Sequence, residues 1–174
     1  GITRPPIPTR RGRAHITRHR ERKNMRLAIG SDHVGLSLKK YLIQYLTQQG
    51  HTLTDVGAYS QERTDYPLYG YKAAQLVVSG QVDYGVLICG TGVGISLAAN
   101  KVDGIRAVVC SESYSARMAR LHNNANIVAL GARVVGEAVA QQIVDAFLTT
   151  DYEGGRHQKR IDMLTEIEKG TFQP

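Results

Sequence analysis

The sequence predicts an α/β protein in which helices cover both faces of a parallel sheet. Short apolar runs rich in β-branched residues alternate five times with amphipathic stretches of helical spacing. The most apolar run, Val86-Leu87-Ile88-Cys89, stops at alternating glycines, Gly90, Gly92 and Gly94, and a helix-compatible segment follows. One amphipathic segment at the C-terminus is surplus to the alternation. The expected fold is therefore three-layer α/β/α, with a five-stranded, doubly wound, Rossmann-like sheet and an extra C-terminal helix.

Each element has its own signal. Residues 26–30 read as a strand, with Ser31-Asp32-His33 at its end. Leu36, Leu38, Tyr41, Leu42, Tyr45 and Leu46 recur at helical spacing, so residues 35–49 form a helix that Gly50 ends as a C′ glycine. Residues 51–56 alternate as a second strand, and 59–65 are polar loop. Pro67 opens a helix over 66–78, near the first turn where its missing N–H costs nothing. Residues 83–89 make the central strand, and the glycine loop leads to a short helix over 96–101. A fourth strand at 105–110 precedes a helix at 113–122, and Asn123-Asn124 form a polar break. A fifth strand at 126–130 precedes a helix at 136–148 with a stripe of Val139, Ile143, Ala146 and Phe147. After a loop at 151–155, the surplus helix over 156–168 carries Ile161, Leu164 and Ile167 and is free to pack on a partner subunit.

Composition bounds the function. The 174 residues suffice for one core-bearing domain over 25–174, and 42% hydrophobic with 21% charged residues is ordinary for a soluble protein. No apolar run approaches the roughly 18 residues that span a bilayer, so no membrane partner is expected. The N-terminus lacks a secretory apolar region. Two cysteines, Cys89 and Cys110, make no disulfide framework; free thiols in a reducing cytoplasm are the simpler reading. The net charge of +7 resides entirely in residues 1–24, where Arg4, Arg10, Arg11, Arg13, Arg18, Arg20, Arg22 and Lys23 face only Glu21. The remaining 14 basic and 14 acidic residues balance, which argues against a nucleic-acid-binding domain. The basic segment has three of the five prolines and no periodicity, so it is expected to be a disordered leader. A nucleic-acid arm, a targeting leader and an upstream extension before Met25 all fit it, the last best.

The chemistry points to the glycine loop. Alternating glycines ahead of a helix N-terminus expose backbone N–H groups to an anion, a phosphate or a negative oxygen formed in a reaction. Cys89 borders that loop. Other polar residues gather at strand ends: Asp32 and His33 after the first strand, Thr91 after the third, His122 and Asn123 before the fifth, and Arg133 after it. They read as converging on one sheet edge. Arg156 and Arg160 share a helix face. Each has a plainer reading: Asp32 as a helix cap, Cys89 as a buried small hydrophobe, His122 as a dipole partner, the arginines as a solvated face. The histidines and cysteines lack the usual zinc spacing, and no G-x-S-x-G or G-K-[ST] motif is present. Ile95 stands where a dinucleotide fingerprint needs its third glycine, although Glu112 lies about 20 residues on, near the position of an acidic ribose ligand. The remaining set fits proton transfer on a small sugar phosphate: arginines for the phosphate, amides for an enediolate oxygen, and a thiolate to carry the proton.

Several motifs occur in order: Gly30-Ser31-Asp32-His33-Val34-Gly35, Glu62-Arg63-Thr64-Asp65-Tyr66-Pro67, Cys89-Gly90-Thr91-Gly92-Val93-Gly94, Arg106-Ala107-Val108-Val109-Cys110-Ser111-Glu112, His122-Asn123 and Tyr152-Glu153-Gly154-Gly155-Arg156-His157. Together, over residues 25–169, they resemble the type B ribose-5-phosphate isomerases, a family that also includes galactose-6-phosphate isomerase subunits and allose-6-phosphate isomerases. The resemblance implies reversible conversion of ribose 5-phosphate to ribulose 5-phosphate without metal or organic cofactor. It implies Cys89 as the base and His122 as the acid that opens the furanose ring. The amides of Gly90, Thr91, Gly92, Val93 and Gly94 would hold the enediolate, Asp32 and Asn123 would contact sugar hydroxyls, and His33, Arg133, Arg156 and Arg160 would surround the phosphate. It further implies a homodimer or dimer of dimers with sites shared between subunits. Ser31 stands where some relatives have cysteine, with no catalytic consequence expected. An allose- or galactose-6-phosphate isomerase, or a non-catalytic phosphate- or nucleotide-binding module, is the alternative.

Overall fold

The computed structural model of the protein describes residues 24–174. The leader reading over 1–24 lies outside the described residues, apart from Asn24. Eleven elements follow in order: β1 (Arg26–Ser31), α1 (Leu36–Gln48), β2 (Thr52–Asp55), α2 (Tyr66–Val78), β3 (Tyr84–Cys89), α3 (Val93–Asn100), β4 (Ala107–Val109), α4 (Ser113–Asn123), β5 (Ile127–Gly131), α5 (Glu137–Leu148) and α6 (Arg156–Lys169). The five strands form one sheet in the order β2-β1-β3-β5-β4, and every pairing is parallel.

Side-chain alternation along the central strands divides the core in two. Leu27 and Ile29 of β1, Val86 and Ile88 of β3, and Val128 and Leu130 of β5 point to a layer made by α1, α4 and α5. The residues between them, Ala28, Leu87, Cys89, Ile127 and Ala129, point to the opposite layer, where Ala73, Ala74, Ile95 and Ala99 of α2 and α3 meet them. The three-layer, doubly wound expectation is thereby met. Helix α6 lies outside both layers. Only its His157 and Ile161 are buried, while Met163, Leu164 and Ile167 remain exposed.

Two elements, α3 and β4, differ most from the sequence reading. Helix α3 begins at Val93 rather than at 96, so Gly94 is helical. Gly92 caps it in the left-handed region (φ 81°), and a Cβ there would meet the carbonyl carbon of Leu130 at 2.9 Å. Gly94 is small because Tyr66 packs on it; an added Cβ would lie 2.6 Å from the ring. Strand β4 is shortened to three residues: Ile105 sits in a turn on Val102, and the pairing register ends at Val109, beyond which the Cys110 N–H still donates to the Ala129 carbonyl at 3.1 Å.

The strand order creates a switch point. The chain passes from β1 outward to β2, then returns to place β3 on the other side of β1. A crevice opens at the carboxyl ends of such a pair, and open α/β sheets bind their ligands there. Ser31 and Cys89 end these two strands.

Candidate active site

At the carboxyl edge, backbone contacts assemble the site. The Asp32 N–H donates to the Ile88 carbonyl at 3.2 Å, and those of Ala132 and Arg133 donate to the carbonyls of Cys89 and Gly90 at 2.8 and 3.0 Å. The turn after β1, the glycine loop after β3 and the turn after β5 are thus sewn together. Cys89 is buried, and its Sγ accepts the Gly92 N–H at 3.1 Å. A negative sulfur here would be met by an amide donor at a helix N-terminus. The Val93 N–H is committed to Thr91 Oγ1 at 3.2 Å. Two of the five amides expected to hold an oxyanion therefore already donate within the loop. First-turn amides of α3 such as that of Gly94 have no acceptor within their own helix.

Asp32 Oδ1 accepts the Gly35 N–H at 3.0 Å, so one carboxylate oxygen fixes the turn into α1. His33 Nδ1 accepts the Thr64 N–H at 3.2 Å. That bond puts the neutral ring's proton on Nε2. Thr64 is in turn held through its hydroxyl to Tyr69 at 2.8 Å. Thr64 lies in the Glu62–Pro67 motif, but it has no role of its own in the sequence reading because it sits in a stretch read as polar loop. Arg133 is exposed, with its side chain running beside Gly90.

His122 and Asn123 are elsewhere, which corrects the expectation of one shared edge. Helix α4 runs back across the sheet, so its C-terminus reaches the amino ends of the strands. Arg106, just before β4, donates through Nε to the carbonyls of Asn123 and Asn124, each at 3.1 Å. Burial lowers the affinity of that guanidinium for its proton, opposed by the charges of Glu168 and Tyr152. Arg120, also lowered by burial, donates to Asn124 Oδ1 and the Ala125 carbonyl at 2.8 and 2.7 Å. Asn124 closes the helix in the left-handed region (φ 45°). Two cations thus anchor the helix end that carries His122, where the macrodipole is negative.

The start of α6 arrives at the same edge. The Glu153 N–H donates to the Leu121 carbonyl at 3.0 Å. His157, buried, stacks on His122 with ring centroids 4.3 Å apart and planes 17° from parallel. Glu153 Oε2 lies 3.9 Å from His122 Nε2 and 3.5 Å from His157 Nε2. Arg156 and Arg160 are exposed beside them on α6. A six-residue strand is ~20 Å long. One chain therefore carries the candidate residues in two separate groups: Asp32, His33, the glycine loop, Cys89 and Arg133 at one edge, and His122, Asn123, Arg156 and Arg160 at the other. Glu153 and His157 are polar members that residue-by-residue reading missed as a cluster with His122. Their i, i+4 spacing was visible, but their meeting with α4 is tertiary.

The ribose/galactose isomerase family profile matches residues 27–164, which spans both groups. The chain belongs to this family. It is 55% identical to ribose-5-phosphate isomerase B of Escherichia coli, over 83% of this chain and 97% of the relative. A galactose-6-phosphate isomerase subunit LacB of Clostridium acetobutylicum is 43% identical, over 85% of this chain and 88% of the relative. The structure of ribose-5-phosphate isomerase B from Clostridium thermocellum superposes with a TM-score of 0.83 at 52% identity, covering 84% of this chain and 99% of that one. As a ribose/galactose isomerase, the chain has a Rossmann-like fold. No helix among the described residues is long and apolar enough to cross a membrane.

Proposed function

We propose that two copies of this chain form a ribose-5-phosphate isomerase, each active site joining the carboxyl-edge half-site of one copy to the amino-edge half-site of the other. The observation that carries this is the separation itself. The thiol sits at one end of the sheet and the histidine at the other, so one copy does not assemble them, whereas a two-fold pair supplies both twice. The exposed Met163, Leu164 and Ile167 of α6 give such a pair an apolar surface to bury.

The reaction follows from the groups. The phosphate is held by His33 and Arg133 from one copy and Arg156 and Arg160 from the other. His122 donates a proton to the ring oxygen as the bond to C1 breaks, and the C1 hydroxyl gives up its proton to water, which frees the aldehyde. Cys89, as thiolate, takes the C2 proton. The electron pair moves onto the C1 oxygen, and the enediolate is met by the free amides of the glycine loop. Cys89 then returns the proton to C1, and the C2 hydroxyl passes its proton to the C1 oxygen as it becomes the ketone. Asp32 and Asn123 orient the hydroxyls. No electron leaves the sugar, so the chemistry calls for no redox cofactor. A thiol that must stay free suits the reducing cytoplasm.

Ketose formation from ribose 5-phosphate and allose 6-phosphate, measured side by side with EDTA present, tests the assignment. Faster turnover of the pentose is expected. Preference for the hexose would keep the mechanism and move the chain to the allose branch, and activity on neither would favour a phosphate-binding module.

A further inference from the structure

His157 presents a puzzle that the isomerase chemistry does not use. Its side chain is 95% buried, with a relative exposure of 5%, yet its Nε2 has no hydrogen-bond partner. Buried polar atoms are seldom left so. The nitrogen faces the Glu153 carboxylate at 3.5 Å, and His122 stands on the other side of that carboxylate. One nitrogen from each histidine and one oxygen of Glu153 all lie within 4.8 Å of one another. Two imidazoles and a carboxylate are a common ligand set for a borderline divalent ion such as zinc, with a fourth position left open.

We infer that His122, Glu153 and His157 form a binding site for a Zn²⁺-class transition-metal ion, and that the ion silences the enzyme by occupying the His122 nitrogen. The distances suit it. Tetrahedral zinc with bonds of ~2.1 Å separates neighbouring ligand atoms by about 3.4 Å, against the observed 3.5 and 3.9 Å. The His157 ring is held by burial and by its stacking on His122, and its backbone N–H donates to the Gly154 carbonyl at 3.3 Å. Glu153 is half-exposed and His122 over a third exposed, so these two have room to turn toward an ion. That turn is required of His122, whose ring now lies nearly parallel to its neighbour. The ligands come from α4 and the start of α6, which is why a search for local Cys and His spacing misses them.

Binding rests on these three residues alone, whereas silencing rests also on the isomerase reading above, and the experiment separates them. Co²⁺ is titrated into the full chain as a spectroscopic stand-in, then displaced with Zn²⁺. The expected result is one ion per chain with the intense visible bands of low-coordinate Co²⁺. The signal should survive Cys89→Ala, which removes the competing thiol ligand. It should weaken at least about tenfold in Glu153→Gln, at a half-exposed position that leaves the fold intact, and in His157→Ala. No binding, or binding lost with Cys89 and indifferent to Glu153, overturns the site. In the isomerase assay, Zn²⁺ should inhibit over the same concentration range in which it displaces Co²⁺, with EDTA restoring turnover. Saturation with the ion at undiminished turnover overturns the silencing. A chain that binds the ion yet isomerises no sugar phosphate would keep the site and remove the functional reading instead.

Discussion

At the carboxyl edge of the sheet the chain presents backbone, and at the amino edge it presents side chains. Around Cys89, the donors and acceptors that set the geometry are the amides and carbonyls of Asp32, Ile88, Gly90, Gly92 and Arg133. Around His122, they are guanidinium groups, imidazoles and a carboxylate. The difference suits the two tasks. An oxyanion and a proton-carrying sulfur need donors fixed in place before the reaction, and backbone in a glycine loop cannot swing away. In the proposed pair of copies, the group that opens the ring and the two arginines that receive the phosphate would reach across a subunit boundary, which long side chains can do.

The largest effect expected at the backbone edge is from Cys89→Ala. Turnover should fall by about 10²–10⁴-fold while the melting temperature and phosphate binding stay near those of the parent. Near-normal turnover would remove the assigned base. At the side-chain edge, Arg156→Ala and Arg160→Ala should mainly raise KM, each by about tenfold if one charge-assisted phosphate contact is lost. A pure kcat loss would place them on the reacting carbons instead.

Rigidity of the loop predicts the next effect. Gly92→Ala forces a side chain into the left-handed region and against the Leu130 carbonyl carbon, 2.9 Å away. It should cost about 1–3 kcal/mol of stability and most of the activity together. Loss of activity at unchanged stability would show that the loop relaxes. The second cysteine offers a control on chemistry. Burial, with Glu112 adding to it, pushes the Cys110 thiol up to about 11. At neutral pH only about one molecule in ten thousand is then thiolate, so alkylation should leave Cys110 unmodified, as peptide mass mapping reads.

The smallest effect concerns the amino-edge strand starts. Burial raises the Asp83 pKa, but the Arg26 backbone N–H and guanidinium outweigh it, so the net shift is downward. A carboxyl lowered in the folded state stabilises above its unfolded value and loses that contribution as pH falls through the folded one. Asp83→Asn should therefore lower the melting temperature slightly at neutral pH, and the gap to the parent should close below about pH 4. A gap that persists in acid would mean the pairing is geometric, not ionic.

Much of this was legible in the residues. Short apolar runs and helical stripes placed the five strands and six helices, because strands buried on both faces read as near-continuous apolar runs. The glycine alternation marked the anion loop, although the helix starts inside it. Cys89 was found because it ends a strand, and His33 because it follows one. Three things were not legible. The order β2-β1-β3-β5-β4 depends on which crossovers pack best, and no local pattern encodes that. His122 and Asn123 were read with the carboxyl-edge residues, although the helix carrying them runs antiparallel to the strands and delivers them to the far end. Glu153 and His157 meet His122 only through the docking of α6 on α4.

The claim that two copies share each site has a direct test by mixing. Cys89→Ala and His122→Ala are each expected to be nearly inactive. Unfolded and refolded together in equal amounts, they would form mixed pairs in which one site has both substituted residues and the other has neither. Recovery of about a quarter of the parent activity, with half of the pairs mixed and one site of two intact, is the predicted result. A mixture as inactive as its components, with mixed pairs demonstrated by native mass spectrometry, would contradict the shared site.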